Sequence, residues 1–161
     1  MTMDPAHLHL MLNHIPVLGT AFGMALIAWA LFRKSEELKR VSLGVFVIIA
    51  LLAVPAYLTG EPAEEVVEHL PGVSEPSIEE HEEAATFAFA GVLVLGAAAL
   101  GGLIFHWRRK PVPKFVPIIA LVLSVIVFAM MVRTANLGGL IRNSELRPDF
   151  QAPPGESEKD G

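Results

Sequence analysis

The sequence predicts an all-α integral membrane protein, a four-helix transmembrane bundle with a short amphipathic surface helix between its second and third spans. Three observations predict it. Of 161 residues, 53% are hydrophobic and only 18% are charged, a balance too apolar for a water-soluble domain of this length. Four apolar runs, at about 10–32, 41–58, 84–107 and 115–133, approach or exceed the roughly 20 residues a helix needs to cross about 30 Å of hydrocarbon. Basic residues fill the first and third connections and are absent from the second, as an even number of crossings requires. One transmembrane domain over 1–147 is expected, followed by a polar, disordered tail at 148–161.

The first run begins at Asp4-Pro5, an N-cap followed by a proline in the first helical position, and continues to Phe32 before Arg33 and Lys34. That helix would be about 42 Å long, so its first turns must stand above the hydrocarbon. It lacks the basic start of a secretory signal, and its apolar stretch is too long for one, so it is expected to stay in the mature protein. Pro16 cannot donate to the carbonyl of Leu12 and should kink the axis beside His14, leaving a free carbonyl that could fix the His14 tautomer.

The second run closes at Pro55, Tyr57 and Leu58, with the tyrosine where aromatic side chains favour the interface. In the acidic connection that follows, Ala63, Val66, Val67 and Leu70 recur at helical spacing within 62–70, closed by Pro71-Gly72, which predicts the surface helix. Ser77 and Glu80 have capping-box spacing, so the third helix is expected to begin at Ile78 and run to Trp107. The fourth run ends near Arg133, and Gly138-Gly139 should break its pattern.

Arg33, Lys34, Lys39 and Arg40 lie in the first connection and Arg108, Arg109, Lys110 and Lys114 in the third. By the positive-inside rule these face the cytoplasm of a bacterial inner membrane, with both termini and the acidic connection on the outer, periplasmic side. The net charge of -5 reflects those clustered carboxylates, and nothing in the chain suggests nucleic-acid binding. The absence of cysteine excludes disulfides, iron-sulfur clusters and covalently attached haem, so a metal or haem must rest on His, Met or oxygen ligands.

Half of the six histidines, His7, His9 and His14, precede or enter the first span. His14 lies 19 residues before Arg33, His7 lies 26 before it, and His81 lies 27 before Arg108. His7 and His81 should therefore be level, with His14 roughly 11 Å deeper. Arg133 is 19 residues from Lys114, and Thr59 is 19 from Arg40, which predicts a polar layer of His14, Thr59, Glu61 and Arg133. His7 and His14 share a helix face, whereas His9 faces away from both and is expected to be solvated. His69 is expected to pair with Glu65, and His106 to anchor at the basic boundary. Gly19, Gly23, Ala84, Ala85, Ala88 and Gly91 form shallow faces that suit close helix packing, or else a flat porphyrin.

The opening H-L-x-L-x-L-N-H-I-P, the T-G-E-P-A-E-E after the second span, His81-Glu82 and the T-A-N-L-G-G-L-I-R-N-S-E-L after the fourth resemble a family of small, uncharacterised four-helix bacterial membrane proteins related to b-type haem membrane proteins. The resemblance spans most of residues 7–147 and implies haem b near the outer face. A His follows G-G-x-I-R in that family, and this chain has Asn143 there.

Two functional classes follow. One is a redox or electron-transfer component holding haem b through His14, with His81 or His7 as second ligand and Arg133 nearby, and passing electrons to a periplasmic partner. The other is a non-catalytic subunit among other membrane subunits of a respiratory, photosynthetic or transport complex. A divalent-metal site at the outer surface, built from His7, His81 and loop carboxylates with His14 as a further ligand, is another alternative. No hydrolytic constellation or nucleotide-binding loop is visible, so electron transfer rather than substrate turnover is expected.

Overall fold

A computed structural model describes residues 4–70, 73–107 and 113–143. The closing Pro71-Gly72, the arginines of the third connection and the 148–161 tail lie outside them. The described residues form six helices and no strand: α1 (Pro5–Leu12), α2 (His14–Phe32), α3 (Glu36–Leu58), α4 (Gly60–Val67), α5 (Glu75–Trp107) and α6 (Phe115–Arg142). Four stretches, α1 with α2, α3 with α4, α5, and α6, are long and apolar enough to cross a membrane. The chain is thus a multi-pass membrane protein whose environment is the lipid bilayer.

The long helices pack in ring order, α2 on α3, α3 on α5, α5 on α6, with α6 closing against α2. Short connections force antiparallel neighbours, so the bundle runs up and down. Ile27, Leu43, Phe46, Val92, Leu95 and Val127 fill its centre. Lipid is as apolar as this core, so cohesion depends on close approach rather than on removing surface from water. Small residues permit that approach. A Cβ on Gly23 would fall 2.6 Å from Phe46 Cε1, one on Gly19 would fall 2.8 Å from Ile49 Cγ1, and one on Gly96 would overlap the Ala50 side chain. The glycines of the first span are therefore occupied by helix packing. The buried hydroxyls all have partners: Thr20 donates to Met131 Sδ across the α2–α6 contact, and Ser42 and Ser124 donate within their own helices to main-chain carbonyls of Leu38 and Leu121.

Several boundaries differ from expectation. The first helix is interrupted at Asn13, one turn ahead of Pro16, although Asn13 keeps helical dihedrals. The helix ladder is broken there without a sharp turn, because a proline at 16 leaves the Leu12 carbonyl without its amide partner. α4 begins at Gly60, directly after α3, and ends at Val67; Ala63 is its buried residue, while Leu70 lies beyond it. α5 starts at Glu75, three residues before Ile78, and the hydroxyls of Ser74 and Ser77 bond each other at 2.7 Å. α6 passes straight through Gly138-Gly139 to Arg142, where Asn143 donates through its backbone and side chain to the Gly139 carbonyl. Glycine costs a helix only about 1 kcal/mol, which tertiary contacts readily offset.

The bundle has an acidic end, where α4 and the first turns of α5 lie, and a basic end. At the basic end α3 is capped by Ser35, whose hydroxyl accepts from the Leu38 amide, with Glu36 and Glu37 in the first turn. Arg40 of α3 donates to His106 Nε2 of α5 at 2.9 Å, so His106 joins two helices rather than merely anchoring at the boundary. At the acidic end, Tyr57 stacks on Phe89 with centroids 4.3 Å apart and shares a hydrogen bond with Thr86.

Candidate functional site

Two imidazoles are turned into the acidic end of the bundle. α1, started by the Asp4 carboxylate accepting from the Ala6 amide, packs on α4 and on the end of α3. That contact turns His9 inward. Its Nδ1 lies 3.1 Å from the Ala56 carbonyl and 3.2 Å from the Thr59 hydroxyl. Ala56 is in the last turn of α3, where helical carbonyls lack amide partners and are open to side chains. The solvated position expected for His9 is therefore overturned: the ring is half-buried and ties α1 to α3.

His81, on the second turn of α5, is held across the α5–α6 contact. Its Nδ1 lies 3.0 Å from the Thr134 carbonyl. A helical carbonyl points toward the residue four further on, which here is Gly138. A Cβ at that position would fall 3.0 Å from His81 Cε1 and 3.3 Å from its Nδ1. The missing side chain makes room for the ring and opens the path to the carbonyl.

A carbonyl can only accept, so Nδ1 carries the proton in both rings and Nε2 presents a lone pair. Among the described residues neither Nε2 has a hydrogen-bond partner, and neither is a fully buried unpaired atom. The two rings lie within electrostatic reach of one another. An Nδ1–H fixed on a carbonyl with a free Nε2 is the usual preparation of a metal-ligating histidine.

The other expected site residues are placed differently. His14 is exposed at the start of α2, with Nδ1 2.6 Å from the Leu10 carbonyl. A main-chain carbonyl does fix its tautomer, though it is Leu10's rather than Leu12's. His7 is exposed on α1. Arg133 does not join a layer with Glu61: its Nη2 donates to Glu80 Oε1 at 3.1 Å, between two exposed side chains. Thr59 instead joins His9, and His69 contacts Glu68 at 3.2 Å rather than Glu65. Among the described residues, no group of three His, Cys, Asp or Glu side chains is arranged to hold a metal ion.

Comparison with protein-family models, with curated proteins and with solved structures gives no match to this chain. The chemistry of the site must be read from its own residues.

Carboxylates cluster on the surface helix and the start of α5. Burial, then the charges of Glu82, Glu68 and Glu61, push the Glu64 carboxyl of the surface helix above the usual glutamate range. A cavity of about 320 Å³ lined by Glu64, Glu68, His69, Glu75 and Ile78 opens between α4 and the start of α5. The rim would attract cationic partners and repel anions. Two imidazoles suit an iron that already has four equatorial nitrogens, whereas a bare divalent ion generally needs three or four protein ligands.

Height counting could not have found His9: it lies 24 residues before Arg33, whereas Thr59 lies 19 from Arg40, so the count pairs Thr59 with His14.

Proposed function

We propose that the chain is a small redox or electron-transfer component of a bacterial inner membrane, holding one haem b at its acidic end through Nε2 of His9 and His81. The observation that carries this reading is the shared preparation of the two rings, Nδ1 tied to a main-chain carbonyl and Nε2 without a hydrogen-bond partner among the described residues. A haem bound there supplies one-electron chemistry. The chain's own residues orient the ligands: Ala56 and Thr59 fix His9, Thr134 and Gly138 fix His81, and the carboxylates of the same end of the bundle favour a basic redox partner. His14, whose Nε2 also stands free, is the reserve ligand.

The basic connections support an orientation with both termini and the acidic end facing the periplasm. Donors and acceptors of electrons would then meet the site from that side.

A structural role competes on a specific ground, since the same two bonds clamp α1 to α3 and α5 to α6. In that reading the chain is a non-catalytic subunit of a larger membrane complex. The deciding experiment is an absorbance scan of protein purified from cells supplied with haem precursors. A Soret band lost in His9→Ala and in His81→Ala, and kept in His7→Ala and His106→Ala, is the expected result. Wild-type protein without the band eliminates the redox reading and leaves the structural one.

A further inference from the structure

At the basic end of the bundle α5 loses its close packing before it ends. Gly102 is its last buried residue, and a Cβ there would fall 2.6 Å from Val116 Cγ1 of α6 and 3.1 Å from Leu43 Cδ1 of α3. Over residues 103–107 no side chain is fully buried. On the α6 side of this segment lies a groove of about 240 Å³, lined in part by Gly101, Phe105 and Val116. A Cβ on Gly101 would meet nothing within 4 Å. Gly101 and Gly102 thus join the segment to the packed part of the helix, and adjacent glycines are where a helix bends at least cost.

On the α3 side the segment is tied by a polar contact. Arg40 Nη1 donates to His106 Nε2 at 2.9 Å, and both side chains are half-buried. The other hydrogen bond between α3 and α5 among the described residues, Tyr57 with Thr86, is at the acidic end. A guanidinium offers no lone pair and does not lose its proton, so the bond exists only while His106 Nε2 is unprotonated. Imidazole is the side chain whose charge changes between about pH 5 and 8.

A proton on His106 would set two cations against each other, and the neighbouring helices offer no described carboxylate to either. Glu36 of α3 gives its carboxylate to Lys39 and only its main-chain carbonyl to Arg40 Nε. Glu37 of α3 is exposed, as is Lys114 at the start of α6, which adds positive charge. α5 itself has no titratable residue between Glu83 and His106.

We infer that residues 103–107 of α5 form an acid-released flap. With His106 neutral, Arg40 holds the flap against α3. A proton on His106 Nε2 breaks that bond, and the flap swings about Gly101-Gly102 toward the groove beside α6. The switch lies at the opposite end from the paired imidazoles His9 and His81 and does not depend on haem.

A bend of about 25° carried over the five residues beyond Gly102, at about 1.5 Å each, displaces the tip by about 3 Å. The chain has no cysteine, so spin labels on Glu37→Cys and Trp107→Cys, both exposed positions, report one distance by pulsed electron double resonance of the full chain in lipid nanodiscs. That distance should lengthen by about 3 Å from about pH 8 to about pH 5. In His106→Gln, whose side-chain oxygen accepts from Arg40 at every pH, the short distance should persist. In Arg40→Leu the long distance should hold throughout. A distance that does not change with pH in the labelled parent overturns the inference, as does a lengthening that survives His106→Gln or a short distance in Arg40→Leu near pH 8. His106→Gln keeps the bond between the helices, so the test stays decisive if Arg40→Leu fails to fold.

Discussion

The His81 ring lies against Gly138, filling the volume that a side chain four residues after Thr134 would take. One glycine therefore controls both the position of the ring and its access to the carbonyl. Gly138→Leu should expel the imidazole and cost about 1–3 kcal/mol by overpacking. Gly139 has open space around its Cβ position, so Gly139→Ala should be neutral or stabilising by up to about 1 kcal/mol. Thermal unfolding of the two variants in detergent measures the contrast. Similar losses in both would mean that the pair acts as a simple helix weak point.

The same glycines show what could be read from the sequence. The four spans, the surface helix and the loop charges were legible because hydropathy and basic residues respond directly to the bilayer. The inward face of α1 was not. It buries no residue fully and is apolar on several sides, and lipid rewards outward apolar groups as much as inward ones. Periodicity groups His7 with His14 but cannot say which face turns to the bundle. Height counting fails for Arg133 in depth as well. Glu80 lies 28 residues before Arg108 and Arg133 only 19 after Lys114, a difference of about 13 Å, yet the two side chains meet. The basic residues from which the counts start need not be level, and a count says nothing of rotation about the axis. Gly138-Gly139 looked like a stop because its tertiary partner, His81, is 57 positions away.

Arg133 and Glu80 should couple weakly, since their side chains are 64% and 55% exposed. A double-mutant cycle of Arg133→Leu with Glu80→Gln should give about 0.2–1 kcal/mol. The corresponding cycle with Glu61→Gln should give none beyond about 0.3 kcal/mol. Coupling to Glu61 instead of Glu80 would refute the observed pairing.

Gly96 lets α5 approach α3 closely, against the Ala50 side chain. Gly96→Leu must separate the helices along the whole contact and should cost several kcal/mol, more than the roughly 1–3 kcal/mol of ordinary overpacking. Gly44, with nothing near its Cβ position, supplies the control. Gly44→Leu should melt near wild type, and a matching loss there would dissociate stability from the α3–α5 approach.

The chain has no cysteine, so a single engineered thiol reports one location. Glu37→Cys at the basic end should resist an impermeant thiol reagent in intact cells, while Glu65→Cys on the surface helix should react. Labelling of Glu37→Cys alone would invert the proposed orientation.

Glu64 predicts a pH dependence whose sign follows from its surroundings. Burial and neighbouring carboxylates raise its folded-state pKa, so the folded protein prefers the neutral acid more than the unfolded chain does. A raised value gives a contribution fully present below the ordinary value of 4.5 and lost as pH rises through the folded one. Near neutral pH the carboxylate therefore opposes docking of α4, and Glu64→Gln, neutral at every pH, should melt higher than wild type. As pH falls toward 4.5 the wild-type carboxyl protonates and the difference in melting temperature should close. The test is a pair of melting curves across pH 4 to 7, where a difference that widens on acidification would show that Glu64 is held by favourable contacts to its charged form instead.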